Sequence, residues 1–294
     1  MLVICFGKNR FLGGYGDRIV GLIAVKTMAA ALGQEFRILW EKEDITPFFE
    51  YERFDNPNED TVENDLIDRQ LHLKDYLMTC PQPFKDPITK FYLNQEIAQY
   101  LFKNPSFADK NYFDTIFAAY KALYTTTLKP TDRLLQKASL GDCKTPLIGI
   151  QIRCGDCFMA TNQGEWHNTG ASNHINAYLS NIKTGLDARY PAYTVFVTSD
   201  FPGILEETRR IFAEVLYIDD VIQHIDRPAI NEDISKVFAD NYILSQKTTE
   251  LYISANSNYG RVAALSAVHD RIYDVATSLP LDKRRLLSKG EQIH

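Results

Sequence analysis

Leu2–Phe6 is a short continuous apolar run, and predominantly apolar strand-like stretches recur at Phe36–Trp40, Leu147–Ile152, Tyr193–Thr198, Val215–Ile218 and Leu251–Ser254. A strand that is apolar on both faces must be covered on both faces, which places it in a parallel sheet flanked by helices. The intervening segments supply the helices. Ile19, Leu22, Ile23, Val25, Ala29, Ala30 and Leu32 recur at helical spacing until Gly33, and comparable segments are expected at Asn173–Arg189, after Pro202, at Ile234–Ser245 and at Arg261–Ala276. The repeating strand, loop, helix order is that of an α/β protein.

With 294 residues the chain is long enough for two domains, at roughly 100–200 residues per domain. The turn-rich Gly141–Pro146 precedes a new buried strand, so the expected division is 1–144 and 145–294. Glu41–Pro87 is polar and proline-punctuated and predicts short elements and loops. Helical spacing returns between Phe91 and Leu140. The second half reads as a Rossmann-like domain, in which ligands lie at strand C-terminal ends and helix N-termini.

Charge narrows the function. With 32 basic and 38 acidic side chains the formal net charge is −6, which leaves no basic footprint for a nucleic-acid backbone. The apolar stretch Ile19–Ala31 contains Lys26 and is shorter than the roughly 20 residues of a spanning helix. The opening Met1–Phe6 reads as a strand rather than a secretory leader, and five cysteines without framework spacing fit a reducing compartment. A cytoplasmic protein is expected.

Four places carry candidate chemistry. Gly13-Gly14-Tyr15-Gly16-Asp17-Arg18, between a strand and a helix, lets backbone approach a ligand closely; the plainer reading is a tight turn with Asp17 as N-cap. Gln151-Ile152-Arg153-Cys154-Gly155-Asp156 ends a buried strand with an arginine fork suited to phosphate oxygens, or with a structural Arg–Asp pair. Val195–Asp200 ends in Thr198, Ser199 and Asp200, short polar groups that fit either a ligand or the cap of the next helix. In Tyr252–Ala263, Ser254, Asn256, Ser257, Asn258 and Tyr259 stand at a strand-to-helix junction, where a helix N-terminus favours anions. Cys154-x-x-Cys157 lacks the second ligand pair of a structural zinc site. G-x-G-x-x-G, the Walker motif and D-x-D are absent, so no metal is expected.

Together these residues resemble the fucosyltransferase superfamily of α1,6-, nodulation and protein O-fucosyltransferases. Gly13–Arg18 is similar to its G-G-x-G-N-R opening, Gln151–Asp156 to its H-x-R-R-x-D motif, Val195–Asp200 to its second motif, and Asp240 through Ala263 to its third. The resemblance covers about residues 1–40 and 147–270. It implies a GT-B fold, two Rossmann-like domains facing across a cleft, with the nucleotide sugar on the C-terminal one and the acceptor on the N-terminal one. It also implies an inverting, metal-independent transfer of fucose from GDP-fucose to a glycan or lipid-linked glycan, in surface polysaccharide synthesis, with no cofactor. Arg153 would contact the donor phosphates, Asp240, Ser257 and Asn258 would carry donor contacts, and Gly14, Gly16, Asp17, Arg18, Asp156 and Asp200 complete the expected binding set. Glu165 is the candidate base, with His167 and Asp17 as alternatives. Gln151 and Cys154 depart from the motif's histidine and second arginine, which leaves open another nucleotide sugar, or a nucleotide- or glycan-binding protein without turnover. Lys283-Arg284-Arg285 and Lys289 could touch an anionic membrane surface, or be solvated helix-end charge.

Overall fold

The first strand, β1 (Leu2–Phe6), is wholly buried and leads through the glycine loop into α1 (Tyr15–Leu32) and on to β2 (Phe36–Trp40). A computed structural model describes residues 1–7, 13–41, 43–55, 62–64, 70–154, 169–220 and 234–287. By their contacts these residues form two compact units, Met1–Leu134 and Leu135–His294, dividing ahead of the Gly141–Pro146 turn.

In the first unit β2 is followed by β3 (Phe49–Glu50), β4 (Val62–Asn64), α2 (Gln70–Thr79) and β5 (Thr89–Phe91). Then come α3 (Ala98–Phe102), a 3-10 turn, α4 (Tyr112–Lys121), a π-helical turn (Leu123–Thr127) and β6 (Lys129–Pro130), and α5 (Asp132–Lys137) carries the chain across the division. The sheet order is β2-β1-β5-β4, all parallel, with β3 and β6 as a separate antiparallel pair. The central β1 is apolar on both faces because both are covered. Gly33, at φ 65°, ends α1 in the left-handed conformation that a side chain disfavours. Gly21 lets α1 lie directly on the chain after β5: a Cβ there would come within 1.9 Å of the Leu93 carbonyl oxygen.

The second unit runs β7 (Leu147–Ile152), α6 (Thr169–Asp187), β8 (Thr194–Ser199), α7 (Gly203–Ile211) and β9 (Val215–Leu216). It continues through α8 (Ser235–Gln246), β10 (Glu250–Ile253), α9 (Asn258–Leu265), β11 (Ile272–Asp274) and α10 (Lys283–Leu287). The sheet order is β11-β10-β7-β8-β9, parallel throughout. Alternation along β7 sorts its two faces. Ile148, Ile150 and Ile152 pack with Ile175, Leu179, Ile182 and Leu186 of α6, a stripe at helical spacing, while Gly149 and Gln151 turn toward α8 and α9. A Cβ on Gly149 would meet Thr248, Leu251 and Leu244 side-chain atoms at 2.8–3.0 Å, so these elements close on the sheet only over a glycine.

Two expectations are corrected. The helix expected over Arg261–Ala276 stops at Leu265, and Ile272–Asp274 instead pairs with β10 as the sheet edge. Asp17 does not cap α1; Gly14 stands at the cap and Asp17 lies three residues further on, its carboxylate accepting the Gly14 N–H at 3.0 Å.

Candidate functional site

The C-terminal ends of β10, β7 and β8 lie side by side in the second unit, and the polar residues of three sequence motifs meet there. Leaving β7, the backbone is pinned from both neighbouring strands: Arg153 N–H donates to Ser254 Oγ at 2.9 Å and Cys154 N–H to Asp200 Oδ1 at 2.7 Å. The other Asp200 oxygen holds Arg153 Nη1 at 2.7 Å, with the arginine side chain 40% exposed. The guanidinium is thus oriented by a carboxylate while remaining open to an anion. Asp200 therefore fixes the β7 turn rather than capping α7, whose N-cap Pro202 has no side-chain bond.

Gln151, in the place of the motif's histidine, is buried, and its Oε1 accepts the Ser254 N–H at 3.2 Å. A Cβ on Gly260 would fall 2.3 Å from that oxygen, so α9 seats on Gln151 because residue 260 has no side chain. Ser257 caps α9 through Gly260 N–H at 3.4 Å, and Asn258 Oδ1 accepts from Arg261 Nη1 at 2.7 Å. Tyr259 donates to the Val237 carbonyl at 2.8 Å, and Asn256 is exposed on the turn. Cys154 is buried, and burial pushes its thiol up to about 11, so it stays protonated rather than offering a thiolate.

Asp240 is 2% exposed. Its Oδ2 accepts from Thr198 Oγ1 at 2.7 Å and from Lys236 Nζ at 2.8 Å, while Oδ1 is buried with no partner among the described residues. Burial pushes its carboxyl above the usual carboxylate range, opposed by Lys236, by Thr198 and, at longer range, by Lys137. Thr198 and Lys236 also line a cavity of about 290 Å³, together with Phe201, Leu205, Tyr217, Ile218, Asp219 and Asp220. Lys236 was missed in the sequence, although its position one helical turn before Asp240 was a readable signal.

In the first unit, Arg18 is fully buried and its Nη1 meets Glu43 at 2.6 Å. Its Nε donates to the Gly13 carbonyl at 3.3 Å, and its guanidinium lies 5.6 Å from the Trp40 ring centre. Together with Asp17 it staples the loop through Gly13, Gly14 and Gly16. Glu165, His167, Asp156, Cys157 and Lys289 lie outside the described residues. Lys283 donates to the Ala267 and His269 carbonyls and pairs with Asp270. Among the described residues no group of His, Cys, Asp and Glu could hold a metal, and no helix is long and apolar enough to cross a membrane.

No protein-family profile and no curated protein sequence matches the chain. Solved structures do. A mutant of Arabidopsis thaliana FUT1 in complex with GDP matches with a TM-score of 0.58 and 16% identity, over 93% of this chain and 69% of that one. NodZ fucosyltransferase from Bradyrhizobium matches with a TM-score of 0.59 and 14% identity, over 93% and 95%. NodZ α-1,6-fucosyltransferase soaked with GDP-fucose gives 0.58 and 14%, over 93% and 94%. The fold is that of the fucosyltransferases. On this fucosyltransferase fold, the second unit brings together Arg153, Asp200, Asp240, Ser254 and the start of α9, residues from motifs far apart in sequence.

Proposed function

We propose that the chain is a GT-B glycosyltransferase that moves fucose, with inversion and without a metal, from GDP-fucose to a glycan acceptor. The observation that carries this reading is the arrangement at the ends of β10, β7 and β8. An arginine fork held by Asp200 stands beside the positive end of α9, and a buried carboxylate with one oxygen to spare stands one strand away. The fold shared with fucosyltransferases solved with GDP or GDP-fucose supports the choice of donor.

In this reading Arg153 and the α9 end hold the diphosphate, and the cavity beside Thr198 and Lys236 takes the nucleobase. Asp240, bonded to the cavity-lining Thr198 and Lys236, carries donor contacts in this reading. Transfer breaks the bond from the anomeric carbon to the phosphate oxygen, whose electron pair leaves with GDP. The acceptor oxygen bonds to the opposite face of that carbon and yields its proton to a base, for which Glu165 is assigned, with His167 and Asp17 as alternatives. Positive charge fixed at Arg153 stabilises the departing diphosphate in the transition state. The acceptor is assigned to the first unit, and the reading includes a role in surface polysaccharide synthesis.

Calorimetric titration with GDP, UDP and CMP, with and without Mg²⁺, tests the donor assignment. GDP is expected to bind without metal and in preference to the others, and Arg153→Ala is expected to lose GDP-fucose turnover and donor affinity together. Unchanged turnover and affinity in Arg153→Ala would remove the phosphate assignment, and a preference for another nucleotide would move the donor.

A further inference from the structure

On one face of the first unit's parallel sheet, alternation puts Val3, Cys5 and Gly7 in a row along β1, between Leu39 and Glu41 on the β2 side and Lys90 and Tyr92 on the β5 side. The body of this face is filled: Val3 and Cys5 pack with Phe54, and Leu39 and Tyr92 lie against them. At the carboxyl ends of the strands the row finishes on Gly7, with Glu41 leaving one neighbouring strand and Tyr92 leaving the other. The Glu41 N–H donates to the Phe6 carbonyl at 3.1 Å, which holds the ends of β1 and β2 in register.

Gly7 differs from the glycines at which the fold has no room. A Cβ on Gly21, Gly149 or Gly260 would meet its nearest atom at 1.9–2.8 Å. On Gly7 it would lie 3.7 Å from Tyr92 Cε1 and 3.8 Å from Glu41 Oε2, ordinary contact distances, and Gly7 is not among the glycines with positive φ. Neither backbone conformation nor packing among the described residues calls for glycine there. What the missing side chain leaves is a half-buried notch with an aromatic ring on one side and a carboxylate on the other. Glu41 is exposed, and its carboxylate has no hydrogen bond or ion pair among the described residues, whereas Glu43 is taken up by Arg18 and Trp40. The Tyr92 ring is anchored by its packing on the core.

We infer that this notch is a subsite for the acceptor and that it takes a neutral sugar ring. The inference rests on the reading of the chain as a glycosyltransferase whose acceptor lies on the first unit. Open α/β sheets receive ligands outside the carboxyl ends of their strands. A pyranose has an apolar face of C–H groups that suits an aromatic ring, and a rim of hydroxyls that donate to a carboxylate. Glu41 and Tyr92 supply one of each, on either side of a residue that leaves the sugar room. A uronic acid or a phosphorylated sugar would bring a second negative charge to Glu41. Lys90, the cation of the same row, is 3% exposed over the Phe54 ring and does not stand open to offset it.

The test is saturation-transfer NMR of the full chain with cellobiose, lactose, mannobiose and digalacturonate as probes, which reads the notch without turnover. At least one neutral disaccharide is expected to bind, and digalacturonate to bind more weakly. Glu41→Gln, which keeps the size and loses the charge, is expected to weaken the neutral probe roughly five- to tenfold and to narrow its advantage over digalacturonate. Gly7→Val is expected to abolish saccharide binding; if it does not fold, Gly7→Ala, whose methyl has room, is expected to weaken it. Melting temperature and calorimetric GDP affinity are expected to stay at wild-type values in Glu41→Gln, since the donor contacts proposed above stand on the second unit. No neutral disaccharide bound by the wild type, or binding unchanged in both the Glu41 and Gly7 variants, overturns the subsite, and retained GDP binding then leaves the donor reading standing. Saccharide binding that responds to both variants in a protein that binds no GDP supports the sugar site and overturns the donor reading.

Discussion

Arg18 offers a test of whether an arginine next to a glycine loop serves the ligand or the loop. Its side chain is 0% exposed, that of Glu43 is 9% exposed, and two nitrogens of one meet the two oxygens of the other at 2.6 and 3.4 Å. Trp40 Nε1 donates to the same carboxylate at 3.2 Å. Replacing Glu43 by alanine takes from a buried guanidinium its carboxylate partner, leaving the Gly13 carbonyl and the Trp40 face still beside it, and breaking such a pair costs roughly 3–5 kcal/mol. Against a total stability of about 5–15 kcal/mol, this should lower the melting temperature by on the order of 10 °C. The double variant Arg18→Met with Glu43→Leu removes both charges and should regain most of the loss, since apolar replacements of buried pairs are often neutral. Urea unfolding read by Trp40 fluorescence is the assay, with Trp166→Phe making Trp40 the single tryptophan reporter. If Arg18→Met and Glu43→Ala each cost less than about 1 kcal/mol, the pair does not hold the loop. If Arg18→Met leaves stability intact and weakens ligand binding, Arg18 serves the ligand rather than the loop.

Gly21→Ala is expected to destabilise the first unit by more than the roughly 1–3 kcal/mol of ordinary overpacking, because the added methyl meets a backbone carbonyl at 1.9 Å rather than a side chain able to turn away. A loss below about 1 kcal/mol in urea would contradict that close approach. The pKa of His269 is pushed down to about 4 by burial and by Lys283. Arg271 N–H donates to its Nδ1 and its Nε2 faces Thr248 Oγ1 at 3.1 Å, so the neutral ring fits its partners. The unfolded chain takes up a proton near the ordinary value of 6.5 while the folded one does not, so this residue makes stability fall as pH drops from 6.5 toward about 4. His269→Gln should flatten that part of the stability profile, and parallel profiles would refute the assignment.

Much of the second unit was readable because a doubly covered strand announces itself. Leu147–Ile152 and, in the first unit, Leu2–Phe6 and Phe36–Trp40 were placed to the residue by predominantly apolar stretches together with the glycine- and turn-rich segments that flank them. The C-terminal helix was overextended because Ile272 and Val275 continue an apolar rhythm. The decision is tertiary: Ser266 Oγ turns back onto the Val262 carbonyl at 2.7 Å, and β10 offers an open edge for Ile272–Asp274. Glu43 was invisible as a partner of Arg18, since one carboxylate in an acidic loop looks like its neighbours until burial singles it out. At the candidate site the residue types were readable at Arg153, Asp200 and Asp240, but not their division of labour. That Asp200 pins the β7 turn depends on strand order, which periodicity does not encode.

Strand order also sets when the second unit can close. Leu147 of β7 pairs with Thr194, but Ile148 finds its other neighbour only at Glu250. During synthesis at about 5–20 residues per second, one edge of the buried central strand β7 waits roughly 5–20 s for β10. Such an edge is a template for pairing with other chains. The newborn chain is therefore most vulnerable to aggregation after β9 has emerged and before β10 has, and the turn carrying Arg153 acquires its Ser254 anchor only when that interval ends.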